Sequence, residues 1–147
     1  MSQRIKEVLV PVDGSEGASR ATRFAVDMAS SLGASVRLFY VFPSASVEVI
    51  GMAAGMSRAD IDTTAQTAAQ RAFDKARAVL DDDLPVDLQE ETSIGDPADE
   101  IVRYTEDSPD IMVIMGRRGL SRMKSLVLGS VSDKVSRHTK SPIMIIS

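Results

Sequence analysis

One apolar run constrains the fold of this chain more than any other feature of its sequence. Residues 111–115 read IMVIM without a polar break, and the run stops at Gly116. A run this short and this uniformly apolar is typical of a β-strand buried on both faces, as in a parallel sheet covered by helices. We therefore expect an α/β protein arranged around this strand.

The remaining chain alternates strand patterns with helical patterns. The predicted strands cover residues 7–12, 36–42, 86–92, 111–115 and 143–146. The predicted helices lie between residues 15 and 33, over residues 59–80, from residue 97 onward, and over residues 131–139. Because strands and helices alternate, right-handed crossovers give a parallel sheet. Residues 86–92 alternate apolar and polar side chains, which predicts a strand at a sheet edge.

Local signals mark the ends of two of these helices. Ser15 is a natural N-cap for the first helix, and Gly33 stands where a C-cap is expected. Asp96 caps the helix that begins with Pro97, and Glu100 is expected to be its capping-box partner.

The segment 44–58, SASVEVIGMAAGMSR, has no clear period. We expect a surface connection between the second strand and the long helix that follows. The alternative is a flexible lid or a partner surface, in which the methionines supply adaptable apolar contact.

Composition argues against several kinds of function. The 147 residues carry 17 basic and 21 acidic side chains, so a general nucleic-acid-binding surface is not expected. The absence of cysteine removes disulfides, thiolate catalysis and Cys-ligated metals. No apolar run approaches the roughly 18 residues of a membrane span, and the N-terminus has no signal-peptide pattern. We expect one cytoplasmic domain, residues 1–147.

Glycines and cations follow the central strand. Gly116 and Gly119 bracket two arginines, and Gly129 stands at the start of a helical pattern. Glycine has no Cβ, so a bound group can approach the backbone closely, and a helix that begins here directs free N–H groups past the strand. The cations of this span are Arg117, Arg118, Arg122 and Lys124. The pattern predicts an anion site, in particular for phosphate; an ordinary loop with an N-cap is the alternative.

The full spacing, G-x2-G-x9-G-S, resembles the ATP-binding motif of the universal stress protein family. Gly116, Gly119, Gly129 and Ser130 carry it, while VPVDGSE and GSVSDKVSRHTKSPIMII extend the resemblance over essentially the whole chain. The resemblance implies an open, Rossmann-like sheet of five parallel strands in the order 3-2-1-4-5, with helices on both faces. That order reverses between strands one and four, where sheets of this type bind ligands.

The resemblance also implies which residues bind. Val12 and Asp13 match the strand end that meets the adenosine moiety, and Val41 matches the position whose backbone borders the adenine. Around ribose and phosphates the motif and the helix start place Gly116, Gly119, Gly129, Ser130, Val131 and Ser132, and Arg118 joins them as a loop cation. The implied ligand is ATP, or ADP or AMP, with Mg²⁺ on the phosphates.

Asp13 and Arg117 each keep two interpretations, and the single histidine has a structural one. Asp13, before Gly-Ser, is either a turn residue or cap, or a partner for ribose or an indirect metal contact. Arg117 stands where the family often has a small hydroxyl residue, and it either strengthens phosphate binding or points to water. His138, the only histidine, is explained by the dipole at the last turn of a helix. No catalytic residue is assigned.

The sequence lacks three motifs that are typical of nucleotide-dependent enzymes, dinucleotide-binding proteins and hydrolases. There is no G-x-x-x-x-G-K-[ST] loop, no G-x-G-x-x-G fingerprint and no G-x-S-x-G elbow. The acidic run 81–83 predicts a solvated turn, and no metal ligand is assigned. We therefore expect an ATP-binding regulatory or stress-response module without efficient catalysis. The alternatives are a structural or regulatory homodimer that binds no nucleotide, and a slow ATP hydrolase or autokinase.

The last predicted strand, IMII at residues 143–146, is expected at the other sheet edge. It carries no charge and no internal proline, the usual protections of an open edge. The resemblance favours a homodimer in which two copies pair here, antiparallel about a two-fold axis. The alternative is that a helix or the methionine-containing loop covers the edge. A further protein partner is expected but not identified.

Overall fold

The structure is a computed structural model that describes residues 4–120 and 128–147. Its strands are β1 (Glu7–Pro11), β2 (Ser35–Pro43), β3 (Leu88–Gly95), β4 (Ile111–Gly116) and β5 (Ile143–Ile146). Its helices are α1 (Glu16–Leu32), α2 (Ser44–Ala54), α3 (Arg58–Arg77), α4 (Pro97–Thr105) and α5 (Ser130–His138). Strand and helix therefore alternate along most of the chain, as the sequence predicts.

The strands form one parallel sheet in the order β3-β2-β1-β4-β5, which confirms the predicted order. In the centre of the sheet, Val8 pairs with Val36 of β2 and with Met112 of β4. β3 and β5 are the two edge strands, also as predicted. The chain reverses its direction of winding between β1 and β4, so the carboxyl ends of these strands flank a cleft.

Helices cover both faces of the sheet. Side chains of α1 and α3 pack with Val8, Val10 and Ile114 on one face. Side chains of α4 and α5 pack with Leu9 and Val113 on the other. All five of these strand residues are fully buried. The unbroken apolar run of β4 is explained by this double covering, since both faces of the strand need apolar side chains.

The predicted helix caps are largely confirmed. The Ser15 hydroxyl accepts a hydrogen bond from the Ala18 N–H at 3.1 Å, and Gly33 ends α1 in the left-handed region with φ of 68°. The Asp96 carboxylate accepts one from the Asp99 N–H at 3.0 Å. The prediction for Glu100 was wrong. Glu100 lies one residue past the capping-box position, which Asp99 occupies, and its carboxylate accepts hydrogen bonds from the side chains of Ser93 and Arg103.

The segment after β2 is a helix, not the irregular connection expected from the sequence. α2 begins after Pro43 and ends at Gly55, whose φ is 59°. It lies beside α3, because a Cβ on Gly51 would come within 3.5 Å of the Ile61 Cδ1 atom. None of its described side chains is fully buried. A hydrophobic period reflects burial of one helix face, and the described side chains of α2 show little burial.

Among the described residues, none of the helices has both the length and the apolar character needed to cross a membrane.

Candidate functional site

A cavity of about 310 Å³ lies at the carboxyl ends of β1, β2 and β4. All ten positions that the sequence analysis assigned to ligand binding line it: Val12, Asp13, Val41, Gly116, Arg118, Gly119, Gly129, Ser130, Val131 and Ser132. They come from the segment after β1, from β2, from the end of β4 with the loop after it, and from the start of α5, so they include residues far apart in sequence. The fold therefore gathers the predicted residues at the reversal point of the sheet. Arg122 and Lys124 lie outside the described residues.

The segment after β4 is held by backbone hydrogen bonds on two sides. The Arg117 N–H donates to the Ile146 carbonyl at the end of β5, at 2.8 Å. The Arg117 carbonyl in turn accepts from the Gly129 N–H at the start of α5, also at 2.8 Å. Arg117 itself is not a lining residue of the cavity, whereas Arg118 is. The backbone of Arg117 thus joins the end of β5 to the start of α5.

The motif glycines allow close approach of the chain to itself. A Cβ on Gly116 would lie 2.9 Å from the Gly17 carbonyl oxygen, and a Cβ on Gly119 would overlap the Asp13 carboxylate. A Cβ on Gly129 would lie 3.3 Å from the Arg118 Cα atom. From the sequence, these glycines are expected to let a bound group approach the backbone. In the structure, they also let the loop after β4 pack directly on its neighbours.

α5 begins beside the cavity without a side-chain cap. Gly129 is its N-cap residue and Ser130, which is exposed, is its first residue. The first N–H groups of any α-helix have no acceptor within the helix. The Ser132 hydroxyl is buried and donates to the Gly116 carbonyl at 2.8 Å, which fixes the helix start against the end of β4. The N-termini of α1 and α4, in contrast, are capped by side chains.

Asp13 lies in the turn before α1 and beside the cavity. Its Oδ1 atom accepts a hydrogen bond from the Ser15 N–H at 2.9 Å, so it is a turn residue. It also lines the cavity. The neighbouring Tyr40 lines the cavity as well, and burial, with a smaller effect of the Asp13 charge, raises the pKa of its hydroxyl. The Tyr40 hydroxyl is therefore neutral near pH 7 and able to donate a hydrogen bond.

An ion pair joins the starts of α4 and α5 near the cavity. The Lys134 ammonium lies 3.2 Å from the Asp96 carboxylate and 2.9 Å from that of Asp99. The pKa of Asp96 is lowered, first by the hydrogen bond from the Asp99 N–H and then by Lys134. The negative end of this pair stands at the N-terminus of α4, where the helix dipole favours it.

Residues 4–147 match the model of the Universal stress protein family. This chain belongs to the universal stress protein family.

Curated relatives span nearly the whole chain. Universal stress protein MJ0531 of Methanocaldococcus jannaschii is 26% identical over 141 residues, which are 96% of this chain and 81% of the relative. Universal stress protein YxiE of Bacillus subtilis is 26% identical over 144 residues, 95% of this chain and 97% of the relative.

Solved structures share the fold. The structure of protein MJ0577 of M. jannaschii superposes with a TM-score of 0.74 at 22% identity and covers 97% of this chain and 96% of its own. A universal stress protein in complex with cAMP gives 0.68 at 22% identity and covers 98% of each chain. The universal stress protein from Archaeoglobus fulgidus in complex with dAMP gives 0.61 at 20% identity and covers 99% of this chain and all of its own.

Apolar residues that had no assignment from the sequence also line the cavity of this universal stress protein. They are Pro11, Ala18, Phe39, Pro43, Pro97, Ile101, Met115 and Leu120. Most of these side chains read as ordinary core residues in the sequence, so no local signal distinguished them. Leu120 differs, because it is 67% exposed at the edge of the cavity. Ligand sites are typically walled by apolar groups with a few polar ones, and this cavity has that character.

The described lining residues offer little for acid–base chemistry. Asp13 is the only carboxylate and no histidine is among them. His138 lies exposed in the last turn of α5, as the sequence predicted. Within residues 4–120 and 128–147, no group of three or more His, Cys, Asp or Glu side chains forms a candidate metal site.

Proposed function

We propose that this protein binds an adenine nucleotide in the cavity and acts as a nucleotide-dependent regulatory or stress-response module without efficient catalysis. The ligand is ATP, or ADP or AMP, and the whole chain, residues 1–147, is one cytoplasmic nucleotide-binding domain. The observation that carries the proposal is that all ten residues expected to bind nucleotide line one cavity. Two relatives of the same fold, studied in complex with cAMP and dAMP, support an adenine nucleotide.

The nucleoside would occupy the apolar side of the cavity. Phe39 and Val41 of β2 and Ile101 of α4 line that side and are buried. A purine ring offers flat apolar faces and polar edges, so it suits an apolar wall bordered by strand backbone. Asp13, at the end of β1, would accept a hydrogen bond from a ribose hydroxyl.

The phosphates would lie at the start of α5. Gly129 has no side chain, so the first N–H groups of the helix are not occupied by an N-cap oxygen. These N–H groups and the helix dipole favour an anion. Among the helices that begin beside the cavity, α1 and α4 already receive a side-chain cap, from Ser15 and Asp96. The start of α5 is therefore the better place for phosphate.

Mg²⁺ would be carried mainly by the nucleotide. Mg²⁺ in phosphate sites keeps several waters and takes one or two carboxylates besides the phosphates. Asp13 is the one carboxylate that the described part of the cavity provides. The residues present fit such an ion, held by the phosphates and, directly or through water, by Asp13.

Nucleotide recovered from the purified protein would test the proposal most directly. We expect protein that is heat- or acid-denatured to release an adenine nucleotide, identified by absorbance and mass. If it does not, nucleotide-free protein is titrated with Mg-ATP, ATP, ADP and AMP by calorimetry. Absence of both copurified nucleotide and heat of binding at millimolar ligand would contradict the proposal and favour the homodimer that binds no nucleotide.

We also propose that two copies pair through β5. The four residues Ile143–Ile146 are half-buried and uncharged, and their strand lies at the edge of the sheet. The opposite edge, β3, carries Glu90 and Glu91. Charged side chains discourage pairing of an open edge, and β5 lacks them. An antiparallel pairing of two β5 strands is self-complementary and closes at two copies.

A further inference from the structure

We propose that Gly17 is a positioning residue for the phosphates: the absence of its side chain sets how the Arg118 backbone lies against the start of α5. The inference rests on the proposed nucleotide binding and concerns a residue outside the glycine motif. Gly17 is buried in the first turn of α1.

Backbone conformation does not require glycine at this position. Among the described residues, positive φ values occur at Gly14, Gly33 and Gly55. Gly17 therefore adopts a conformation that alanine also adopts, and alanine is the better helix former. What excludes a side chain is contact, because a Cβ on Gly17 would lie 2.8 Å from the Arg118 carbonyl oxygen.

The Arg118 backbone lies close to the start of α5 as well as to Gly17. A Cβ on Gly129 would lie 3.3 Å from the Arg118 Cα atom, which is closer than most Cβ contacts. The start of α5 therefore approaches the Arg118 backbone very closely. The preceding residue, Arg117, is bound through its N–H to β5 and through its carbonyl to Gly129. The peptide chain at Arg117 and Arg118 thus fills the space between the first turns of α1 and α5.

A methyl group at Gly17 would shift this part of the chain. A contact of 2.8 Å to a backbone oxygen is shorter than van der Waals packing permits, and a carbonyl held in a loop has no flexible end that can turn away. The displaced Arg118 backbone would move against Gly129, at the place where the phosphates are proposed to bind. The apolar wall formed by Phe39 and Ile101 lies on β2 and α4 and would keep its position.

Gly17→Ala should therefore weaken binding of the phosphates and leave binding of the nucleoside nearly unchanged. We expect its affinity for Mg-ATP to fall about tenfold, equivalent to about 1.4 kcal/mol. We expect its affinity for adenosine to stay within about twofold of the wild type. Calorimetric titration of nucleotide-free protein with each ligand measures both. Gly51→Ala is the matched control: it adds the same methyl to another helical glycine, where the nearest atom, Ile61 Cδ1, would be 3.5 Å away.

A spectroscopic readout tests the position of the loop without ligand. In nucleotide-free Gly17→Ala, the amide resonances of Arg118, Gly119 and Gly129 should shift, while Gly51→Ala leaves them in place. Unchanged resonances, unchanged ATP affinity, or an equal loss of ATP and adenosine would each overturn the inference. So would a Gly17→Ala protein that does not fold, because Gly17 would then support the fold and not the loop. A wild type that binds neither ligand contradicts the proposed function itself.

Discussion

Gly17 and Gly116 lie backbone against backbone: a Cβ on Gly116 would come within 2.8 Å of the Gly17 carbonyl carbon. The first turn of α1 therefore packs on the last residue of β4 with no side chain between them. Gly116 belongs to a motif that the sequence marks, and Gly17 does not. The same pair of elements borders the proposed nucleotide cavity, so the packing of the fold and the shape of the site depend on one contact.

The first prediction concerns Gly129. We expect Gly129→Val to abolish binding of Mg-ATP while the protein remains folded. The new side chain would meet the Arg118 Cα atom and the Arg117 carbonyl, at 3.3 and 3.4 Å from its Cβ, and would crowd the start of α5. Calorimetric titration gives the affinity, and thermal unfolding followed by circular dichroism gives the fold. Wild-type affinity in a folded Gly129→Val protein would remove the start of α5 as the phosphate site.

The second prediction concerns turnover. Asp13 is the only carboxylate among the described lining residues, and it already accepts the Ser15 N–H. Without a positioned base, we expect ATP hydrolysis far below the ~1 per second that marks the low end of ordinary enzymes. A steady-state phosphate-release assay checks it. A rate of that order, lost in Asp13→Ala, would identify an enzyme.

The third prediction concerns assembly. We expect a wild-type dimer at micromolar concentration and a monomer for Ile145→Lys, because a charge on β5 opposes pairing of its open edge. Sedimentation or light scattering measures both. Thr92→Lys, which places a lysine on the exposed opposite edge strand β3, is the control and should stay dimeric. A monomeric wild type contradicts the dimer, and a dimeric Ile145→Lys protein moves the interface away from β5.

The fourth prediction concerns the pH dependence of stability. The pKa of Asp96 is lower in the folded protein than its ordinary 3.8. A carboxyl with a lowered pKa stabilises the folded state above its unfolded pKa, and this contribution is lost as the pH falls through the folded pKa. Asp96→Asn keeps a cap for α4 and removes the charge. At pH 7, the free energy of unfolding of the wild type should exceed that of Asp96→Asn by about 0.3–1 kcal/mol, the range for a charge at an exposed helix start.

Urea unfolding at pH 7 and near pH 3 checks this difference. It should shrink below pH 3.8 and also shrink in high salt, since the Lys134 partner is exposed and screened. A difference that is the same at both pH values would show that the Asp96 charge does not stabilise the folded state.

Much of the architecture was predictable because its causes are local. The apolar run of β4 reports burial on both faces, and the caps at Ser15 and Asp96 are hydrogen bonds within three residues. The strand order was implied by the resemblance to the universal stress protein family, and so were the site positions, of which Gly116, Gly119 and Gly129 also carry the motif. The order is confirmed, while the assignment of these residues to nucleotide binding stays a prediction.

Only the tertiary structure decided the rest, because contacts between distant parts of the chain leave no local pattern. The segment of α2 shows no clear hydrophobic period in the sequence, although it folds as a helix beside α3. Ile101 looks like any core residue until α4 is placed over β2. In the sequence, Gly17 is only a residue of low helix propensity. The structure shows the Arg118 carbonyl oxygen 2.8 Å from the place that its Cβ would occupy. A sequence records which side chain is present, but the space available to it depends on which other segment lies opposite.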